Sequence, residues 1–327
     1  MFTSNNTPYH EFRLARQLGA IINLDDITHI SALERATGSL PELLSFRLNP
    51  GAERVGNSII GNPEDAKYGL TRRQIFQAYK IAKAVGVKRF GLHTMVCSNE
   101  RNPEYFLETT RMMLKLAQDL QREVGIEFEF VNLGGGIGTP YRPEHRGVDL
   151  QKLGIDIDGV YEELGGKNKN PKRVFTECGR AVTGPNGWLL TSVRHVMRKY
   201  KDFVGVDATM ADLMRPGMYG AYHHITVLGK ESVEDTVMTD VVGSLCENND
   251  KFAVNRHLPR VKEGDLLAIH NSGAHGRAMG FNYNGKLRSG EVLVEANGGV
   301  SKIRRHETLQ DHFATLDFGE YASLTRG

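Results

Sequence analysis

The feature that most constrains this chain is an alternation. From Met1 to about Arg180, short apolar runs take turns with amphipathic segments that carry helix start and stop signals. Thr7 can cap a helix with Pro8 in its first turn and Gly19 past its end, and "AIINL" follows from Ala20. Thr71 and Gln74 have the spacing of a capping box. Ile75, Tyr79, Ala82 and Val85 then share one face, and Gly86 ends the helix ahead of "RFGLHTM". Asn102-Pro103 opens another helix, whose apolar stripe runs through Phe106, Met113, Ala117, Leu120 and Val124 to Gly125. A succession of such βα units builds a parallel sheet covered by helices.

The strands of this region are "FTS" near Phe2, "AIINL" at Ala20, "LLSFRL" at Leu43, "RFGLHTM" at Arg89, "IEFEFVNL" at Ile126 and "RVFTE" at Arg173. Six strands are two short of a closed (β/α) barrel. Asn49, His93, Gly134 to Gly136 and Glu177 all fall at the carboxyl ends of these strands, where barrel active sites lie. After Leu189 the pattern changes to "HHITVLG", "DTVMTDVVGSL", "GDLLAIHN" and "GEVLVEA", strands separated by turn residues. The expected organisation is an incomplete β/α barrel over 1–188, followed by a mainly antiparallel β domain over 189–327.

Composition narrows the function. An apolar fraction of 40% with 24% charged residues is that of an ordinary globular protein, and a net charge of +2 with interspersed signs gives no nucleic-acid or membrane-surface signal. Cys97, Cys178 and Cys246 are odd in number and widely spaced, which argues against a disulfide framework or a zinc site. The opening "MFTSNNTPYHEF" has neither a basic nor an apolar leader segment, so a cytosolic protein acting on small molecules is expected, with no metal.

Four segments carry chemistry. "VNLGGGIGTPY" ends a strand in three glycines, Gly134, Gly135 and Gly136. They suit either a tight strand exit or a backbone cradle for phosphate. The spacing of the dinucleotide fingerprint fails at Thr139, and that of the P-loop fails at Thr139-Pro140-Tyr141. "RVFTECGRAV" places Glu177 at a strand end with Arg180 three residues on, either a structural ion pair or a carboxylate that meets a cationic cofactor nitrogen. "DLMRPGMYGAYHH" sets Arg215 and Tyr219 one helical turn apart, near enough to grip one carboxylate; a surface arginine is the plainer alternative. "GSLCENNDKF" puts Cys246 beside Glu247, where a lone cysteine is ordinarily a small hydrophobe.

Together with "SFRLNPG", "GLHTMVCSN" and "GAHGRAMGFNYNGKLRSGEVLV", these blocks run in order over nearly the whole chain. The ordered set resembles the fold-type III pyridoxal-phosphate (PLP) decarboxylases, most closely the branch acting on meso-diaminopimelate. The resemblance implies a (β/α)8-type barrel lacking its first two βα units, then an antiparallel β domain. It implies that Gly134, Gly135 and Gly136, with Ser98, Gly179 and Arg180, wrap the cofactor phosphate. It makes Glu177 the partner of the pyridine nitrogen, so that the ring accepts electrons from the bond being broken. Arg180, Arg215 and Tyr219 would hold the far carboxylate of the substrate, Glu247 its far ammonium, and Cys246 would be the acid that protonates the carbanion. Cys246 and Glu247 would enter the site of a partner subunit, which implies a homodimer making L-lysine.

Three positions depart from the family pattern. Met95 stands where a histidine usually stacks on the cofactor ring, with His93 two residues away on the same strand face. His275 stands in place of a phosphate-binding tyrosine, and Cys178 replaces a proline after Glu177. A fourth departure is larger. The family's Schiff-base lysine lies on the first barrel strand, this sequence opens on what resembles the third, and its first lysine, Lys67, falls in a loop. The resemblance therefore leaves three alternatives to diaminopimelate decarboxylation: decarboxylation of another basic amino acid, a regulatory homologue without catalysis, or a fragment whose activity alone is negligible.

Overall fold

The computed structural model describes residues 1–56, 59 and 61–316. Two compact units divide the chain: Met1–Thr139 with Gly147–Gly179, and Pro140–Arg146 with everything from Arg180.

The first unit is a six-stranded parallel sheet in sequence order. Its strands are β1 (Phe2–Thr3), β2 (Ile22–Leu24), β3 (Leu43–Leu48), β4 (Arg89–Thr94), β5 (Phe128–Gly135) and β6 (Arg173–Glu177). The connections carry the helices α1 (Tyr9–Gln17), α2 (His29–Thr37), α3 (Arg72–Ala84), α4 (Pro103–Val124) and α5 (Leu150–Glu163). This is the β/α barrel-type arrangement that the alternation predicts. The α3 capping box forms as read: Thr71 Oγ1 accepts from Gln74 N–H while the Gln74 side chain accepts from Thr71 N–H. Asn102 caps α4 by accepting from Glu104 N–H, and Gly125 ends it in the left-handed region.

Two local expectations need correction. Thr7 does not cap α1; Pro8 occupies the N-cap position without a side-chain cap bond, and the buried Thr7 hydroxyl has no hydrogen bond among the described residues. Val85 is half exposed rather than on the buried face of α3, because the helix ends at Ala84.

Period-2 alternation sorts the sheet into two faces. Ile22, Leu24, Leu44, Phe46, Leu48, Phe90 and Leu92 join the helix residues in one apolar core. Tyr79 of α3 is its hub, fully buried and edge-on to Phe46 (4.9 Å), Phe128 (5.1 Å) and Phe90 (5.8 Å), with its hydroxyl donating to Gly91 O. Burying each such side chain contributes about 1.5–3 kcal/mol. The intervening residues Asn23, Ser45, Arg47, His93 and Asn132 point to the other face and are buried as well. Register aligns them: Asn23 opposite Ser45, Arg47 opposite His93, and His93 opposite Asn132.

The second unit holds a six-stranded sheet in the order β11-β10-β8-β7-β12-β9. The strands are β7 (Leu189–Arg198), β8 (Asp202–Val206), β9 (Ile225–Val227), β10 (Thr236–Val242), β11 (Lys251–Pro259) and β12 (Leu266–Ile269). Pairing is antiparallel except between β8 and β10, so the antiparallel expectation holds with one parallel pair. Val193, Val204, Val206, Val241, Phe252, Leu267 and Ile269 fill its core. A separate hairpin pairs β13 (Glu291–Val294) with β14 (Val300–Arg304). No helix among the described residues is long and apolar enough to cross a membrane.

Thr71→Ala removes both halves of the α3 capping box and is predicted to lower stability by about 0.5–2 kcal/mol in urea unfolding. An unchanged midpoint would mean that packing of Tyr79 alone fixes the start of α3.

Candidate active site

The glycine run answers first to packing. Gly134 (φ 74°) and Gly136 (φ 97°) lie in the left-handed region. A Cβ on Gly134 would sit 2.2 Å from Thr94 O, one on Gly135 2.2 Å from Glu177 O, and one on Gly136 2.3 Å from Cys97 O. The end of β5 therefore passes too close to its neighbours for any side chain. Gly134 N–H donates to Asn132 Oδ1 (2.9 Å), and Gly135 N–H points to Met95 Sδ (3.3 Å). Gly179, just beyond β6, is different. A Cβ there would meet no heavy atom of the described residues within 4 Å, and its φ lies outside the left-handed region.

Glu177 ends β6 with its carboxylate 44% exposed, and Asn132 Nδ2 donates to its Oε1 (2.8 Å). His93 Nε2 lies 3.8 Å from the same oxygen, and this buried nitrogen has no hydrogen bond among the described residues. Burial, then the positive charge of Arg47, pushes the His93 imidazole down to about 3, so it is neutral at physiological pH. Arg47 is itself held by Asp25 at the end of β2. Cys97 is buried against the glycine run, and burial raises its thiol to about 12, which leaves it inert. Asn49 organises a loop, donating to Pro63 O and Tyr68 O. Ser98 lies half-buried beyond β4.

In the second unit Arg180 and Arg215 are both buried. Arg180 donates to the Tyr141 hydroxyl (2.6 Å), and the guanidinium of Arg215 lies 4.5 Å from the centre of the Tyr141 ring. Arg215 Nη1 also donates to His223 Nε2 (2.8 Å), whose Nδ1–H donates to His270 O (2.7 Å). Burial lowers the Arg215 guanidinium from its ordinary value, although an arginine stays charged. Among the described residues Arg215 has no carboxylate partner, an arrangement that suits an incoming carboxylate. Tyr219, one turn along the short helix Arg215–Tyr219, is 63% exposed, and the ring against Arg215 is that of Tyr141. His275 sits at φ 57°, and burial followed by Arg180 and Arg215 lowers its imidazole from the ordinary value.

Cys246 is exposed, its Sγ 3.8 Å from the Tyr283 hydroxyl and its N–H donating to Asn284 Oδ1 (3.2 Å). Glu247 turns back to accept from Asn249 N–H (2.9 Å). Buried Asp250 fixes this turn by accepting from Leu245 N–H and Met210 N–H. The structure thus adds Asn132, Tyr141, His223 and Asp250 to the residues that sequence reasoning selected.

Gly135→Ala is predicted to cost about 1–3 kcal/mol of stability by forcing β5 from β6, as measured by urea unfolding; wild-type stability would contradict the close approach. A pH dependence also follows. His93 and His223 bind protons in the unfolded chain near pH 6.5 but in the folded protein only near about 3 and about 4. Between these limits the unfolded state holds more protons, so stability falls as pH drops below 6.5 and is insensitive to these two groups above it. The slope is about 1.4 kcal/mol per pH unit for each histidine. Urea titrations from pH 7 to 5 should show it, with a shallower slope in His93→Gln.

Comparison with known proteins agrees with this geometry. The signature of the pyridoxal-dependent decarboxylase C-terminal sheet domain matches residues 64–273. Protein TabA of Pseudomonas amygdali pv. tabaci is 41% identical over 97% of this chain and 74% of its own length. The diaminopimelate decarboxylase of Methanothermobacter thermautotrophicus is 36% identical over 95% of this chain and 73% of its own. A crystal structure of diaminopimelate decarboxylase from M. jannaschii superposes with a TM-score of 0.87 at 30% identity, covering 98% of this chain and 74% of that one. On signature, sequence and fold alike, this chain belongs to the pyridoxal-dependent decarboxylase family.

Proposed function

We propose that this protein serves the PLP-dependent decarboxylation of meso-2,6-diaminopimelate to L-lysine, as a homodimer in the cytosol. The observation that carries the substrate assignment is Arg215, a buried guanidinium with no carboxylate partner among the described residues, oriented by His223 and Tyr141. Lysine and ornithine have no second carboxylate for such a group; diaminopimelate has one.

The residues present fit the cofactor. A Cβ on Gly179 would meet no heavy atom of the described residues within 4 Å, which leaves room for a phosphate beside it, and the family resemblance adds Gly134 to Gly136, Ser98, Arg180 and His275 to that cradle. Glu177 is an exposed carboxylate backed by Asn132 and by a buried imidazole nitrogen that has no hydrogen bond among the described residues, which suits a protonated ring nitrogen. When bound, the cofactor supplies an electron sink for the bond to the departing carboxylate. Around it, Arg215, Arg180 and Tyr219 hold the far carboxylate, Glu247 takes the far ammonium, and Cys246 Sγ delivers a proton to the carbon that loses CO2. Support for Cys246 is its exposure on a turn fixed by Asp250, with the Tyr283 hydroxyl beside its sulfur. The dimer follows from the family resemblance, in which Cys246 and Glu247 serve the partner's site.

One observation favours a second reading, action on a related amino acid: identity to TabA (41%) exceeds that to the M. thermautotrophicus enzyme (36%). Calorimetric binding to the PLP-loaded protein separates the two. Diaminopimelate should bind more tightly than lysine or ornithine. Arg215→Ala should weaken diaminopimelate by roughly 10- to 100-fold, the loss of one charge-assisted contact, and lysine by far less. Equal losses for all three ligands would overturn the assignment of Arg215 to the far carboxylate.

A further inference from the structure

On the polar face of the parallel sheet, four hydrogen-bonding groups line up with one donor direction. Ser45 Oγ donates to Asn23 Oδ1 (2.7 Å), which leaves Asn23 Nδ2 at 3.1 Å from His93 Nδ1. An amide nitrogen only donates, so His93 Nδ1 must accept. A neutral imidazole has one N–H, and here it falls on Nε2. That nitrogen is buried, lacks a hydrogen bond among the described residues and faces Glu177 Oε1 at 3.8 Å. Ser45, Asn23 and His93 are each at least 98% buried, on β3, β2 and β4, so water has little part in setting the tautomer. The opposite tautomer would oppose N–H to N–H at Asn23 and a lone pair to the carboxylate at Glu177.

We propose that Ser45 and Asn23 fix His93 as the Nε2–H tautomer, and that His93 is thereby a positioning residue that keeps Glu177 aimed at the cofactor ring nitrogen. Asn132 acts from the other side, donating to the same Oε1 while accepting from Gly134 N–H, so the ring-nitrogen partner and the glycine run are tied to one amide. Both buried donors converge on Oε1, and Oε2 takes no hydrogen bond from the described residues. The charged groups near His93 are Arg47, which is neutralised by Asp25, and Glu177 itself. The role of Glu177 rests on the cofactor reading above; the tautomer does not.

Long-range 1H–15N correlation spectra of the [15N]histidine-labelled protein without cofactor test the first half, with His93 assigned by its loss in His93→Gln. The expected result is Nε2–H with unprotonated Nδ1, unchanged from pH 5 to 8. Asn23→Asp, which replaces the donor by an acceptor, should move the proton to Nδ1 or protonate both nitrogens. Ser45→Ala, the milder change, should give a mixture of tautomers as Asn23 becomes free to turn over. Nδ1–H in the parent, or a ring that titrates near pH 6.5, would overturn the proposal. The second half is read from the 15N shift of PLP labelled at the ring nitrogen. That nitrogen should stay protonated at pH 8 in the parent and in His93→Gln, which keeps a donor, and lose its proton in His93→Leu, with PLP affinity falling about tenfold, one pK unit. Identical ring-nitrogen shifts in all three proteins would refute the positioning role. Failure of PLP to bind the parent would instead refute the cofactor reading and leave the tautomer result standing.

Discussion

The structure of the first unit depends on one constraint: the parallel strands β2 to β5 bury both faces. On the helix side this is simple, because Ile22, Leu44, Phe46, Phe90 and Leu92 pack against Tyr79 and its neighbours. On the other side Asn23, Ser45, Arg47, His93 and Asn132 are buried with almost no access to water, and each must find its partner on another strand of the sheet. Parallel register sets Asn23 level with Ser45, and Arg47, His93 and Asn132 level with one another two residues further along the strands. The chain of bonds that results can be satisfied internally everywhere except at its end, at His93 Nε2 and the exposed Glu177. The polar face thus brings a buried imidazole nitrogen and a carboxylate to the carboxyl ends of the strands, where on the proposed reading a cationic ligand nitrogen would complete the set.

The second unit meets a similar problem with positive charge. Arg180 and Arg215 are buried beside Tyr141, and His223 accepts from Arg215 because it is neutral. Protonation of His223 would turn that acceptor into a donor against a guanidinium, and burial with the surrounding arginines holds its imidazole down to about 4. Aromatic faces and neutral acceptors can orient a guanidinium without cancelling its charge. The charge thereby remains available to a carboxylate ligand.

Much of this was legible in the sequence, and the illegible parts share a cause. Capping residues and stripes located α3 and α4 because a helix end states its requirements locally, as Thr71, Gln74, Asn102 and Gly125 do. Glu177 and His93 stood out as ionisable residues at strand ends. Asn23, Ser45 and Asn132 did not, because a polar residue inside an apolar run looks like a flaw in the period until its cross-strand partner is known. Tyr141 and His223 come together across a sequence gap that no spacing rule spans. β7 was hidden by Arg194, His195 and Arg198, which break its alternation on the exposed side. The glycine run was read as a choice between strand exit and phosphate cradle, and close approach to Thr94, Cys97 and Glu177 explains why each position is glycine under either reading.

The central claim is that the carboxyl ends of β4, β5 and β6 hold PLP. Amide and imidazole chemical-shift mapping during titration with PLP tests it most directly. The account predicts saturable shifts at Gly136, Glu177, Gly179 and the His93 ring, with Tyr79 and its neighbours on the helix side unmoved. Shifts scattered over the surface, or a saturable site that leaves Glu177 and Gly179 unperturbed, would contradict it.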